Sequence, residues 1–475
     1  MARPLFLALA ALEFGLLCCG GGGNGNQGSR SVVLTGTVTG TSVAAYDETG
    51  GRTLAVATGS TVPKSFSLTL TTGHIYALFL LENEGSANQR VYPLFADASA
   101  TINLLKLSEP GTVDLGFVDT SSGNALPSKN PLYANGVSAA GRSSTIPADL
   151  AAGSIVFGSA DLTGRWALHA IAVTPATVEW LRATVDVASD GMASFVAVEA
   201  SVPLGYPPAV LLTLTPGGML QMAQSDFLGA MGSRKDLVAW TATFDPLGQT
   251  LGVLVRQSSG RTGSELVGVF DFHRFKGIGS AESTGGRGSW ARGRLTIDAQ
   301  LGLSVVSGTF QTSDPAHDTP GGLDGVASVS GDGTVTLGGD PSFRGTLSPD
   351  GNALVATTTD GAEHTLLILQ RASSGVAATA LDGTWSLRQL EYQPDTIAEW
   401  TRGKATVAAG VATLIELAPS SGSSDPVPVT VSPEGVVTIS GDTGFQGTLS
   451  AGGRLLVGTT SVDSGATTQM VVLVK

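Results

Sequence analysis

Cysteine is nearly missing: the 475 residues contain two, adjacent at Cys18 and Cys19. That excludes a disulfide framework or a zinc cluster built on spaced cysteines. Charge is also scarce, with Asp, Glu, Lys and Arg at 14% of residues, against about 25% in ordinary soluble domains. No basic run occurs and the net charge is −13, so nucleic acid is excluded as a partner, because a phosphate backbone needs clustered Lys and Arg. The acidic excess itself is read as a solubility feature. Also missing are G-x-S-x-G, H-E-x-x-H, a Walker A loop, C-x-x-C and an EF-hand loop. What is abundant is Gly, 64 residues, among Thr, Val, Ser and Asp-Gly turns. That composition predicts an all-β chain of short strands and tight turns.

The cysteine pair has a different use. Arg3 is followed by the apolar run "LFLALAALEFGLL" (5–17), too short to span a bilayer and right for a secretory signal. Leu16-Leu17-Cys18-Cys19 then resembles a bacterial lipobox, with Cys18 where a smaller residue is usual. The resemblance implies cleavage after residue 18, acylation of Cys19, and a lipid-held place in the cell envelope, at the outer membrane. Residues 1–19 are thus the expected signal and 20–30 a Gly-rich tether.

Residues 31–118 alternate apolar and polar positions. Phe66, Leu68 and Leu70 share one face, a turn follows at Thr72-Gly73, and Tyr76, Leu78 and Leu80 share a face on the return strand. With Gly36-x-Val38 and Val43-x-Ala45-Tyr46-Asp47, this unit resembles the transthyretin-like sandwiches related to carboxypeptidase regulatory domains. Residues 119–160, rich in Ser, Pro, Ala and Gly, are read as a linker with a short helix near 147–152.

The remainder repeats itself in three units, 161–257, 265–371 and 381–475. They open with "DLTGRWALHAI", "ELVGVFDFHRF" and "ALDGTWSLRQL". Each continues with a Trp-x-Arg, then "SDFLGAM", "PSFRGTLSPDG" or "TGFQGTLSAGG", and ends on an apolar strand with a terminal cation. About eight strands fit in each unit. Two architectures satisfy that count: three small eight-stranded barrels, or a six-bladed β-propeller with two blades per unit. An opening Gly-x-Trp with a terminal cation resembles the calycin barrels, which implies that the early aromatic packs under the late cation. The whole resembles multi-repeat envelope lipoproteins.

Three sets of residues are candidates for chemistry. His169 and His273 both stand five residues after the opening glycine, where the third unit has Arg388. A metal or triad role would not drift to Arg, so they are expected to be polar residues on an outward strand face. The acidic loop 314–333 carries Asp314, Asp318, Asp324 and Asp332, in a spacing that matches no calcium motif. Turn chemistry accounts for Asp before Gly. The Trp-x-Arg pairs carry more: Trp180 with Arg182, Trp290 with Arg292, and Trp400 with Arg402. Residues two apart share a strand face, so each Trp lies beside its Arg, opposite the apolar Val185 and Val187 or their counterparts. Two readings stay open. One is a cation–π seal over the sheet. The other is a sugar- or anion-binding platform repeated three times and strengthened by avidity. The expected function is a lipid-anchored, non-catalytic binding or adhesion module for glycans or envelope proteins, without cofactor or metal. Alternatives are an envelope scaffold, or a hydrolase or lyase on a propeller axis.

Overall fold

A computed structural model describes residues 30–59, 62–203, 208–244, 248–278, 288–393, 397–418, 424–462 and 467–475. The signal, most of the tether and Cys19 lie outside these.

The N-terminal unit is two sheets over one core. Ser31–Val38 lies between Lys64–Thr71 (antiparallel) and Gly111–Asp119 (parallel), with Leu126–Pro127 at the edge. The second sheet runs Val137–Gly141, Leu104–Leu107, Ile75–Glu82, Ser42–Asp47, Arg52–Val56, and Arg90–Pro93 also pairs with Ile75–Glu82. Strand alternation sends Leu34, Phe66, Leu68 and Val113 from one sheet, and Val43, Tyr76, Leu78 and Leu80 from the other, into a shared core. The turn at Thr72-Gly73 therefore closes no hairpin. Its two strands belong to different sheets and meet through their side chains, which the alternation pattern alone does not distinguish from pairing. Residues 119–160 are more than a linker: they donate the edge strands Leu126–Pro127 and Val137–Gly141. The helix forms at Ala148–Ala152.

Each repeat closes into an antiparallel barrel, and the propeller alternative is excluded. Barrel one runs from Gly164–Val173 to Gly248–Arg256, and these first and last strands pair to close it. Barrel two runs from Gly268–Ile278 to Glu363–Arg371, with Gly302–Val305 and Gln311–Thr312 sharing its third position. Barrel three runs from Gly383–Gln393 to Thr467–Val474. The terminal cation covers the opening aromatic in all three: Arg256 on Trp166 at 4.5 Å, Arg371 on Phe270 at 4.7 Å, Lys475 on Trp385 at 4.9 Å. Each cation also donates to carbonyls just before its opening glycine, such as Thr163 O for Arg256 and Val267 O for Arg371.

The barrels pack into a ring. Inward side chains fill each barrel separately. Outward side chains of the first, second and last two strands form a further core shared by all three, with Ile171 and Val253, Phe275 and Ile368, Leu390 and Val472 among its members. Strands buried on both faces read as continuous apolar runs, such as "ALHAIAV", rather than alternating ones. The ring's centre is therefore packed, and an enzyme site on a propeller axis has no place in it.

Candidate functional site

The three Trp-x-Arg pairs lie on outward barrel faces, as strand alternation requires, and each outward face is covered by the next barrel. The same contacts recur at each junction. From barrel one to barrel two, Trp180 Nε1 donates to Thr359 Oγ1 (2.7 Å) and Arg182 to the Ser342 carbonyl (2.7 Å). From two to three, Trp290 Nε1 donates to Ser461 Oγ (2.7 Å) and Arg292 to the Gly444 and Thr459 carbonyls (2.9 and 2.7 Å). From three back to one, Trp400 Nε1 donates to Thr243 Oγ1 (3.1 Å) and Arg402 to the Asp226 carbonyl (2.6 Å). Each guanidinium stacks on its own indole, at 4.4, 4.2 and 4.3 Å. The three tryptophans are 7%, 6% and 9% exposed. Desolvated cation–π pairs of this kind contribute up to about 2 kcal/mol each.

His169 and His273 face outward as expected, but the neighbouring barrel buries them. His169 Nε2 lies 3.0 Å from Thr346 Oγ1 of barrel two, and His273 Nε2 lies 3.0 Å from Thr448 Oγ1 of barrel three. Burial, then the nearby Arg182 or Arg292, pushes each imidazole down to about 3. Both are neutral at physiological pH.

The third junction departs from this pattern at three positions. Arg388 replaces the histidine. Ala230 replaces the facing threonine, in "SDFLGAM" against "PSFRGTL" and "TGFQGTL". The residue paired across the ladder from the Trp-x-Arg arginine changes too: Glu199 opposite Arg182, Gln311 opposite Arg292, Ala418 opposite Arg402. Arg182 forms an ion pair with Glu199, and Arg292 Nε donates to Gln311 (2.9 Å). Arg402 meets an alanine. A cavity of 370 Å³ opens here, lined by both barrels and by Ser121 and Ser122 of the sandwich.

The sandwich seats on this same junction. Arg90 donates to the Gly217 and Met231 carbonyls of barrel one (2.8 and 3.0 Å), and Asn83 accepts from the Thr384 amide of barrel three (2.8 Å). Lys404 of barrel three is buried against Glu82 (2.5 Å) and also donates a hydrogen bond to Thr120 Oγ1.

The acidic loop has a structural use. Asp318 is buried and holds Arg274 (2.7 Å) and Lys276 (2.5 Å), which ties the loop to the first strand of barrel two. Asp314 pairs with His317 (3.0 Å).

Of the residues singled out from the sequence, Arg402 alone among the Trp-x-Arg six lines the 370 Å³ cavity. Arg388, Ala418 and Ser122, which also line it, were missed as site residues, as was the change at Ala230 in the adjoining core. The signal was in the repeat alignment, where His-to-Arg, Thr-to-Ala and Glu-to-Ala changes fall in copies that become neighbours only once the ring closes.

These features define a class: an all-β chain in which a two-sheet sandwich sits on a ring of three eight-stranded barrels. No family model matches the chain, and no curated protein matches it. Among solved structures it is similar to transferrin-binding protein B of Neisseria meningitidis serogroup B, at 10% identity over 62% of this chain and 65% of that one, TM-score 0.23. A double mutant of the Haemophilus parasuis transferrin-binding protein B is similar at 10% identity over 65% and 74%, TM-score 0.22. A protein of unknown function of the DUF3598 family from Nostoc punctiforme is similar at 8% identity over 66% and 97%, TM-score 0.16. The chain thus spans under two thirds of the meningococcal protein. At these scores the likenesses carry no argument about what this chain binds, and none supports the transthyretin-like kinship of the sandwich. Among the described residues no helix is long and apolar enough to cross a membrane.

Proposed function

We propose that the chain is a lipid-tethered, non-catalytic binding module of the cell envelope that docks an extended segment of a partner protein on its barrel walls. One observation carries this reading. On the side away from the shared core, each barrel keeps only two ladder pairs between its third and fourth wall positions among the described residues, with Ser424 N also donating to Leu414 O in barrel three. Barrel one has two ladder pairs there, Met192↔Leu211 and Ala193↔Val210. Barrel two has Gly302↔Val326 and Leu303↔Gly325, and barrel three has Val411↔Pro428 and Ala412↔Val427. Along Ser194–Ala200 of barrel one, the edge facing this seam has no ladder partner among the described residues. Such edges accept an added strand, whose main chain supplies affinity. Apolar side chains stand exposed beside them, Val196 at 50% and Val326 at 58%. The lipobox-like Leu16-Leu17-Cys18-Cys19 and the tether behind it supply the envelope address.

The test is photo-crosslinking in the producing cells from positions 196 and 326, with the exposed sandwich position Tyr133 as control. Discrete protein adducts from the two seam positions alone are expected. No adduct, or equal adducts from position 133, would remove the reading; retention on a glycan resin without protein adducts would replace it with a sugar binder. Cys19→Ser is expected to release the chain from the membrane fraction.

A further inference from the structure

At junctions one and two a neutral histidine meets a threonine of the next barrel, and His169 Nδ1 alone of the four ring nitrogens has no hydrogen-bond partner. At the third, Arg388 has no anionic partner among the described residues, and Arg402 has the exposed Asp226 as its neighbouring carboxylate. Arg388 is 1% exposed, and its acceptors are two backbone carbonyls, Leu228 O at 3.1 Å and Leu387 O at 2.6 Å. Its Nη2 is buried with no hydrogen-bond partner, as is Ser122 Oγ, and both residues line the 370 Å³ cavity. A buried cation without a counter-charge is costly. Burial, with Arg402 and Arg90 nearby, pushes the Arg388 guanidinium down to about 9, still charged at neutral pH. Arg402, stacked on Trp400, faces Ala418 where the equivalent arginine of barrel one has Glu199.

The rest of the lining adds a direction. Lys404 also reaches the cavity, but Glu82 neutralises it. The lining carboxylate, Asp226, accepts from the Thr243 amide (2.9 Å) at an exposed position, so the cavity opens to solvent there. Met222, Phe227 and Leu228 form an apolar wall beside the arginines. The volume falls within the roughly 300–1,000 Å³ of small-molecule sites, which pair apolar walls with a few placed polar groups.

We propose that this cavity binds a small organic oxyanion, a carboxylate or phosphate on a short apolar body, with Arg388 and Arg402 as its cationic contacts. Ser122 and Ser386 are placed to donate to the same oxygens. The ligand occupies the space beside Ala418, where barrel one has Glu199, and it ties barrel one, barrel three and the sandwich together. The site is independent of docking at the barrel seams.

The test uses the full mature chain with hexanoate, phenyl phosphate and inorganic phosphate as probes, against sodium chloride at equal ionic strength. Hexanoate or phenyl phosphate is expected to raise Tm saturably and to give a binding isotherm by calorimetry. Arg388→Met removes an uncompensated charge, so it should fold, and it is expected to weaken binding about ten- to hundredfold, the size of a charged hydrogen-bond contact. Ala418→Phe keeps both guanidiniums but fills the cavity, and should abolish binding if Arg388→Met fails to fold. The proposal falls if no probe exceeds sodium chloride, or if either folded variant keeps the wild-type response. Inorganic phosphate binding as tightly as both organic probes would overturn the apolar half of the assignment.

Discussion

The junction between barrels two and three and the junction between barrels three and one share strands, a stacked Trp–Arg pair and a cross-barrel indole hydrogen bond. They differ in what fills the space between. In the first, His273 meets Thr448 at 3.0 Å and Thr459 at 3.3 Å, and Arg292 meets Gln311. In the second, alanines stand at the counterparts of Thr448 and Gln311, an arginine replaces the histidine, and 370 Å³ stays open under the sandwich. Geometric closure of the ring and chemical closure of each junction are thus separable. The Trp–Arg contacts set the first, and the smaller residues around them set the second. Duplication produced three equivalent junctions, and the departure falls at the one where the sandwich breaks the symmetry.

The largest test of this view removes the junctions altogether. Residues 376–475 alone would expose Leu390, Tyr392, Trp400, Val457, Met470 and Val472, all buried in the shared core. At about 1.5–3 kcal/mol per large apolar side chain, that loss rivals the whole stability of a domain, about 5–15 kcal/mol. The fragment is expected to aggregate or melt without cooperativity in sedimentation and thermal unfolding. A cooperative monomer would mean that the barrels are self-sufficient and the junctions incidental.

Next in size is pH. His169 and His273 are held near 3 when folded, against about 6.5 unfolded. Above pH 6.5 neither state binds the extra proton, and this source of stability is complete. As pH falls below 6.5 the unfolded chain takes up protons that the native state refuses, so stability drops, by about 2 kcal/mol per histidine at pH 5. Denaturant titrations at pH 7 and 5 should show this loss, and His169→Gln with His273→Gln should flatten it. Junction three contributes no such slope, so Arg388→Met should leave it unchanged. A steep slope surviving the double glutamine variant would place the sensitivity elsewhere.

Much of the fold was legible. The repeat anchors fixed three units, and strand periodicity separated Trp180 and Arg182 from Val185 and Val187 on opposite faces; the structure places Trp180 in the shared core, Arg182 on the Ser342 carbonyl beside it, and the two valines in the barrel-one core. The opening aromatic under the terminal cation was also readable. What was not readable was the occupant of the outward face. Periodicity reports that a face is distinct, not whether solvent or another barrel covers it, and so His169 read as outward and polar. The crossing at Thr72-Gly73 failed for a related reason, because strands that pair and strands that face each other across a sandwich alternate identically. The Ser- and Pro-rich composition of 119–160 hid two edge strands, which need little apolar content because one side carries no neighbour. The changed junction was written in the alignment as Arg388, Ala230 and Ala418, but only ring closure brings the two barrels that carry them together.

The junctions can also be exchanged. Ala230→Thr with Arg388→His rebuilds the histidine–threonine pair at the third junction. The double variant should be more stable than the sum of its singles by about 1 kcal/mol, the size of one buried hydrogen bond read through a mutant cycle. It should also lose the hexanoate response and acquire a pH slope like those of the other two junctions. Additive singles would show that the two positions do not act as a pair.

The smallest expected change in stability is the sharpest on Arg402. Ala418→Glu supplies the carboxylate that Glu199 gives Arg182 in barrel one. A partly exposed pair of this kind contributes about 0.2–1 kcal/mol, so thermal unfolding should shift by little. Binding should change much more, because the introduced carboxylate occupies Arg402 and adds negative charge beside Arg388. If Ala418→Glu left the hexanoate isotherm unaltered, Arg402 would drop out of the site and Arg388 would hold the anion alone. A lost isotherm with Tm nearly unchanged would show that the ligand takes the place of the carboxylate missing opposite Arg402.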